Sequence, residues 1–416
     1  MTLSFPSYFV ACPHGRPRCL FTSATLLLGV ILAQPSWAMH VVFVSPGKLD
    51  EPFWRDADEG LQHAAASLGI ELELLHAERD HLAQLSLLRD VAERPVEQRP
   101  DYLLVTADKQ VLPGQLELAE GAGIPIFTAY NGVQPKERDL LGYPRQRFQY
   151  WLGSLVPDAE EAGFLSARAL IKEAQARWPG TEDDVLELVA ISGDRGTDSS
   201  QRRTRGMVHA VSRFPRVRLR QNVYGDWQQE LARYQTPILL DRYPHTRLIW
   251  TGSDLMAFGA SDGVRASGRV PGQDVLLSTI NMTERATRAL LNGELHAMVG
   301  GHHLAAAWAL VVLYDYHNGV DFAESDGLEM SKSMFALFDQ EMAQDYLGYL
   351  AAGHPEVDYC RFSKVCNPAL KGYDFSIGNW LSAARVATLR STARGSALGD
   401  DPNGVHDAGN VAEQRQ

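Results

Sequence analysis

His40–Trp54 reads HVVFVSPGKLDEPFW, and the fold is decided here. Val41–Val44 is short, β-branched and aromatic, the composition of a buried strand. Ser45–Asp50 is rich in turn formers. Phe53 and Trp54 then open a helix that Asp50 can cap, with Pro52 tolerated in its first turn. Trp54, Ala57, Leu61, Ala64, Ala65 and Leu68 recur at helical spacing, and Gly69 is placed to stop the helix.

Outward from this stretch the alternation continues. Ile70–Leu75, Tyr102–Thr106 and Ile124–Ala129 are strand-like, separated by helical runs at Leu82–Val91 and Val111–Glu120. Short connections and right-handed crossovers make this a parallel sheet covered on both faces. Tyr143–Tyr150 reads as a crossing segment. The pattern restarts at Trp151–Val156 and runs through strands at Val185–Ser192, Val217–Val223, Leu248–Thr251, Val275–Ile280 and Ala297–Val299. Leu304–His317 is a long apolar helix, Met334–Ala351 a docking helix, and Trp380–Leu389 a last one. The fold class is α/β with two similar lobes in tandem. One lobe is expected to hold residues 39–147 plus 299–330. The other takes 148–298, with 331–390 as a docking tail. Residues 391–416 are polar and Gly-rich, the composition of a disordered tail.

The chain has 416 residues, a net charge of −12 and 45% hydrophobic content. That composition suits folded lobes and argues against non-specific nucleic-acid binding. Residues 1–38 have the three regions of a secretory signal peptide: Arg16 and Arg18, the apolar run Leu20–Ala33, and Ser36-Trp37-Ala38. The apolar run is shorter than the ~20 residues of a membrane span. Cleavage after Ala38 gives a periplasmic protein of charge −14, since two arginines and no acid leave. Cys12 and Cys19 leave with it. Cys360 and Cys366, with five residues between them, are then expected to form a disulfide closing a small loop.

In open parallel sheets ligands bind beyond the carboxyl ends of the strands. The loops at those ends are rich in aromatic, Asn, Asp and Arg residues, the groups that pack on C–H faces and bond hydroxyls. Dinucleotide, P-loop and nucleophile-elbow motifs are absent. His302-His303 is not a metal spacing, so neither metal nor cofactor is expected, and no enzyme is read here.

Four runs, FVSPGKLDEPFW, ISGDRGTDSSQRRTRGM, TGSDLMAFGA and STINMT, resemble the type I periplasmic binding proteins, the ribose- and galactose-binding family of exported sugar receptors. The resemblance covers about residues 39–320. It implies a two-lobed receptor closing on a small sugar or polyol by hinge motion. It also implies a membrane permease of an ABC importer as partner, or alternatively a membrane sensor kinase. By position it implies Phe53 or Trp54 as cleft aromatic, and Arg203, three residues before Gly206, as a clamp on ligand hydroxyls. Ser253-Asp254 stands where the family usually has Asn-Asp, and Asn281 where it usually has Asp. The loop from Pro46-Gly47 to Phe53-Trp54, with Asn131 and Asn281, is closest to the autoinducer-2-binding branch. That branch has a basic contact at the position of Gly300, for which His302 is the substitute here. Ligand-binding residues are thus expected at Phe53, Trp54, Asn131, Arg203, Ser253, Asp254, Asn281 and His302. Trp227 is expected to pack on the cleft rim, and Asp194 and Asp198 to be loop residues.

Overall fold

The computed structural model describes residues 38–399 apart from 182 and 183. The expected signal peptide therefore lies, but for Ala38, outside the described residues, as does the tail beyond residue 399.

Two six-stranded sheets carry the fold. The first is built by β1 (His40–Ser45), β2 (Glu71–His76), β3 (Tyr102–Thr106), β4 (Ile126–Ala129) and β5 (Trp151–Pro157). The second is built by β6 (Leu186–Ser192), β7 (Val217–Tyr224), β8 (Thr246–Thr251), β9 (Leu276–Ile280) and β10 (Ala297–Gly300). Short strands β11 (Glu329–Lys332) and β12 (Ala336–Leu337) complete them, β11 parallel to β5 and β12 antiparallel to β10. The strand orders are β11-β5-β4-β3-β1-β2 and β12-β10-β9-β8-β6-β7. Helices α1 (Pro52–Leu68), α2 (His81–Ala92), α3 (Leu112–Ala122) and α4 (Pro135–Leu141) follow the first four strands. Helices α5 (Ala159–Arg177), α6 (Asp198–Ser212), α7 (Gln229–Arg242), α8 (Asp254–Ala266) and α9 (Glu284–Leu291) follow the next five. The chain ends with α10 (Ala305–His317), α11 (Gln340–Ala351) and α12 (Ile377–Gly399). The central strands β3, β6 and β9 are buried along their whole length and β1 from Val41 on, as a sheet covered on both faces requires.

Several expectations are corrected by this arrangement. β5 pairs with β4, so it closes the first sheet instead of opening the second lobe. The first crossing falls at Pro157–Asp158, not at 147–148, and Tyr143–Tyr150 is a connection inside the first lobe. The second crossing is Gly301–Leu304, and the third is Ser333–Phe335, between β11 and β12. Residues 299 and 300 belong to the second sheet and 331–332 to the first. Met334–Ala351 is not one helix, because β12 precedes α11. Most of the tail docks on the first lobe, through Trp308 of α10. Glu51, not Asp50, stands at the N-cap of α1, without a side-chain capping bond. α12 extends past Leu389, so its helix enters the segment expected to be disordered.

One packing detail positions the site. α5 and α6 cross so closely that a Cβ on Gly206 would lie 1.9 Å from the Glu160 carbonyl oxygen, and one on Gly163 1.9 Å from that of Arg203. Only glycines permit this approach, and it fixes the turn of α6 that carries Arg203.

Candidate functional site

Between the lobes lies a cavity of about 80 Å³. All three crossings reach it, through Pro157 and Ala159, His302, and Phe335. The remaining wall comes from strand-end loops and helix starts of both lobes. All eight residues expected from sequence, Phe53, Trp54, Asn131, Arg203, Ser253, Asp254, Asn281 and His302, line this one cavity. Trp227, expected on the rim, lines it as well. Glu51, Arg79, Asp108, Tyr130 and Phe335 also line it without having been singled out. The strand-end rule had marked the loops of Arg79, Asp108 and Tyr130. Phe335 was hidden inside an apolar run that read as helix.

The aromatic groups form two sets. Phe53 stacks on the His302 ring, with centroids 4.8 Å apart, and His302 meets Phe335 on its other side at 4.7 Å. Trp54 stands edge-on to Phe53 and to Tyr130, each at 5.1 Å. Trp54 is 5% exposed and belongs to the buried stripe of α1, so it is core and cavity wall together.

The polar groups are held from behind. The Arg203 guanidinium donates to the Gly252 carbonyl at 2.7 Å and to His302 Nε2 at 2.8 Å. Burial pushes Arg203 down to about 10, with the Asp254 charge opposing the shift. His302 is driven well below its ordinary value by burial and then by the Arg203 charge, so its ring is neutral. A guanidinium only donates, so Nε2 accepts and the ring proton sits on Nδ1. Asp254 accepts from Asn281 Nδ2 at 2.7 Å and Thr283 Oγ1 at 2.6 Å. Burial raises its pKa against those bonds. Burial likewise raises Asp108 to about 6, with Arg79 opposing. Arg79 itself pairs with Glu51.

Two features mark this cavity as functional. Among the described residues, Trp54 Nε1, Arg203 Nε, His302 Nδ1 and Asn281 Oδ1 are buried without a hydrogen-bond partner. Buried polar groups are normally satisfied; of eighteen such unpaired atoms among the described residues, three donors and one acceptor stand together on this one cavity's lining. The backbone agrees. Of the ten non-glycine residues with positive φ among the described residues, eight lie in strand-end loops of the cleft: Glu78, Arg79, Lys109, Gln110, Tyr130, Asp226, Trp227 and Asn281. Such strain concentrates at binding sites.

The lobes also touch directly beside the cavity. Asn131 Oδ1 accepts from Ser199 N at 3.1 Å, Gly132 N donates to Asp198 at 3.3 Å, and Gln134 Nε2 donates to the Gly196 carbonyl. Asp198 thus closes the lip instead of serving only its own loop. Asp194 organises that loop, accepting from Gly196 N, Thr197 N and Trp227 Nε1. Cys360 and Cys366 are bonded as a disulfide. Among the described residues no group of three or more His, Cys, Asp or Glu could hold a metal ion.

Two sheets joined by three crossings, with a strained polar cavity between them, define a hinged binding protein. The chain belongs to the periplasmic binding protein family, whose domain model, described as "Periplasmic binding protein domain", matches residues 41–319. It is similar to a periplasmic sugar-binding protein from Pseudomonas fluorescens of known structure, at 34% identity and a TM-score of 0.73, covering 82% of this chain and 98% of that one. The D-allose-binding periplasmic protein of Escherichia coli (strain K12) is 22% identical over 275 residues, 66% of this chain and 83% of the relative. The ribose import binding protein of Bacillus subtilis (strain 168) is 21% identical over 290 residues, 67% of this chain and 85% of the relative. These relatives are receptors, and this chain is a binding protein, not an enzyme.

Proposed function

We propose that the protein is an exported receptor that closes on one small, uncharged sugar or sugar-like polyol and presents the closed complex to the permease of an ABC importer. The observation that carries this is the unpaired set on the cavity lining. Hydroxyl groups both accept and donate. A ring with several hydroxyls can take N–H bonds from Arg203, His302 and Trp54 while donating to Asn281 and Asp254. Its C–H faces suit the aromatic walls of Phe53, Tyr130 and Trp227. A phosphate or carboxylate is disfavoured, because Glu51, Asp108 and Asp254 outnumber Arg79 and Arg203 on the lining. The names of the relatives support the same class, since they bind allose or import ribose. Periplasmic residence is supported by the family and by the signal-like residues 1–38.

Calorimetric titration of the purified protein with ribose, allose, arabinose, galactose and apiose, beside their phosphorylated or oxidised counterparts, tests the reading. Saturable binding of a neutral member that is lost in Arg203→Met is expected. Binding only of the anionic members would overturn it.

A further inference from the structure

The family match ends at residue 319, and the chain continues into an extension that takes no part in lining the cavity beyond Phe335. After β12 this extension forms α11, a 3-10 turn at Tyr359–Phe362, the Cys360–Cys366 loop and α12. It is fastened to the first lobe through α10. Trp308 carries the rings of Tyr359, Phe362 and Phe375, at centroid separations of 5.5, 4.8 and 4.9 Å. Asp315, fully buried on the same helix, accepts from Ser363 Oγ (2.5 Å), Lys364 N (2.7 Å), Val365 N (3.2 Å) and Tyr373 Oη (2.9 Å). Three of those donors lie inside the disulfide loop. Without the loop the buried carboxylate would keep only Tyr373 Oη of its four donors, so this anchor is costly to detach.

From the anchor the extension reaches the hinge and the second lobe. Ile377 abuts the second crossing so tightly that a Cβ on Gly301 would lie 2.7 Å from the Ile377 Cβ and 2.2 Å from the Met334 carbonyl oxygen. Trp380 meets the His303 ring edge-on at 6.2 Å. α11 then lies against helices of both lobes. On α1, Tyr349 bonds His63 Nδ1 at 3.3 Å, and His354 pairs with Glu59. On the other side α11 packs against α9. Tyr346 is buried at this junction, with Asp56 and Glu59 of α1 and Glu284 of α9 around it.

α1 and α9 both begin at the seam behind the cavity, where Phe53, Asp56, Asn281, Thr283 and His302 meet. Hinge opening must separate these two helix starts. A helix buried against both cannot follow both. We propose that the extension is a strap across the lobe seam, anchored on α10 through Trp308 and Asp315 and engaged on α9 through α11, which limits how far the cleft opens. The strap favours the closed arrangement before ligand arrives, which removes part of the conformational cost of binding.

Spin labels at Lys136→Cys and Val208→Cys, one exposed position in each lobe, report the opening in the full chain by double electron–electron resonance. Cys360 and Cys366 stay in their disulfide, and Cys12 and Cys19 are replaced by Ser so that only the two introduced cysteines take label. Without ligand, the labelled protein should show one narrow, short distance distribution. Tyr346→Ala, which loosens α11, and C360S/C366S, which loosens the anchor, should each move it to longer distances. A broad, open distribution in the otherwise wild-type chain overturns the strap, whatever the variants do. So does an unchanged distribution in variants that retain their far-ultraviolet circular dichroism.

Discussion

Replacing Arg203 by Met is the sharpest single perturbation of the cavity. Its guanidinium is buried, spends two donors on Gly252 and His302, and leaves Nε–H without a partner. A hydrogen bond from a charged donor to a ligand hydroxyl contributes about 1.5–3 kcal/mol. Losing one such bond raises Kd by roughly ten- to a hundredfold. The cost to the fold is a difference between two opposing effects. Met strands the Gly252 carbonyl and His302 Nε2, about 1–3 kcal/mol each. It also removes a buried cation whose ionisation is already depressed to about 10, a relief of opposite sign. The two effects partly cancel, and net stability should fall by about 1–3 kcal/mol. Calorimetric titration with the bound sugar gives the affinity, and urea unfolding gives the stability. A Kd within twofold of wild type in a folded Arg203→Met protein would refute the reasoning.

Three further outcomes are expected. Trp54→Ala should destabilise by about 3–5 kcal/mol because it empties a core position, whereas Phe53→Ala should lower stability less and chiefly weaken binding; thermal melts beside titrations separate the two. Gly206→Ala should destabilise by at least about 2 kcal/mol and weaken binding by displacing Arg203, since its new Cβ meets backbone that cannot yield; a wild-type melting temperature would contradict this. Asp56 is raised to about 7, chiefly by burial. The folded state therefore holds a proton that the unfolded chain releases near pH 3.8. Its contribution to stability is complete below that value and is lost as pH rises through 7. Asp56→Asn should match wild type near pH 4 and exceed it by about 1–3 kcal/mol at pH 8, and urea midpoints at the two pH values would show it.

Strands β1–β10 were legible as short apolar runs between turn formers, most of them β-branched or aromatic as in Val41–Val44. The site was legible for a topological reason, since strand-end loops of parallel sheets converge. Which residues fill the cleft, Arg203, Asp254 and Asn281 among them, came from the resemblance to the sugar-receptor family. What failed was non-local. Trp151–Val156 looks the same whether it closes the first sheet or opens the second, and only its pairing with β4 decides. The third crossing, expected at 330–331, falls at Ser333–Phe335, because β12 has two residues and sits in an apolar run beside α11. Arg79 and Asp108 lay in marked loops, but their inward aim depends on left-handed backbone at Glu78–Arg79 and Lys109–Gln110, which no turn residue announced. The Asp315 anchor had no sequence signal, because a lone Asp in an apolar helix does not reveal a partner loop.

Native mass spectrometry of the protein recovered from its own host, beside Arg203→Met prepared in the same way, tests the central claim most directly. One bound neutral molecule of pentose or hexose mass, absent from the variant, is the predicted result. A bound species that carries a phosphate or carboxylate, or a neutral sugar retained equally by the variant, would contradict it.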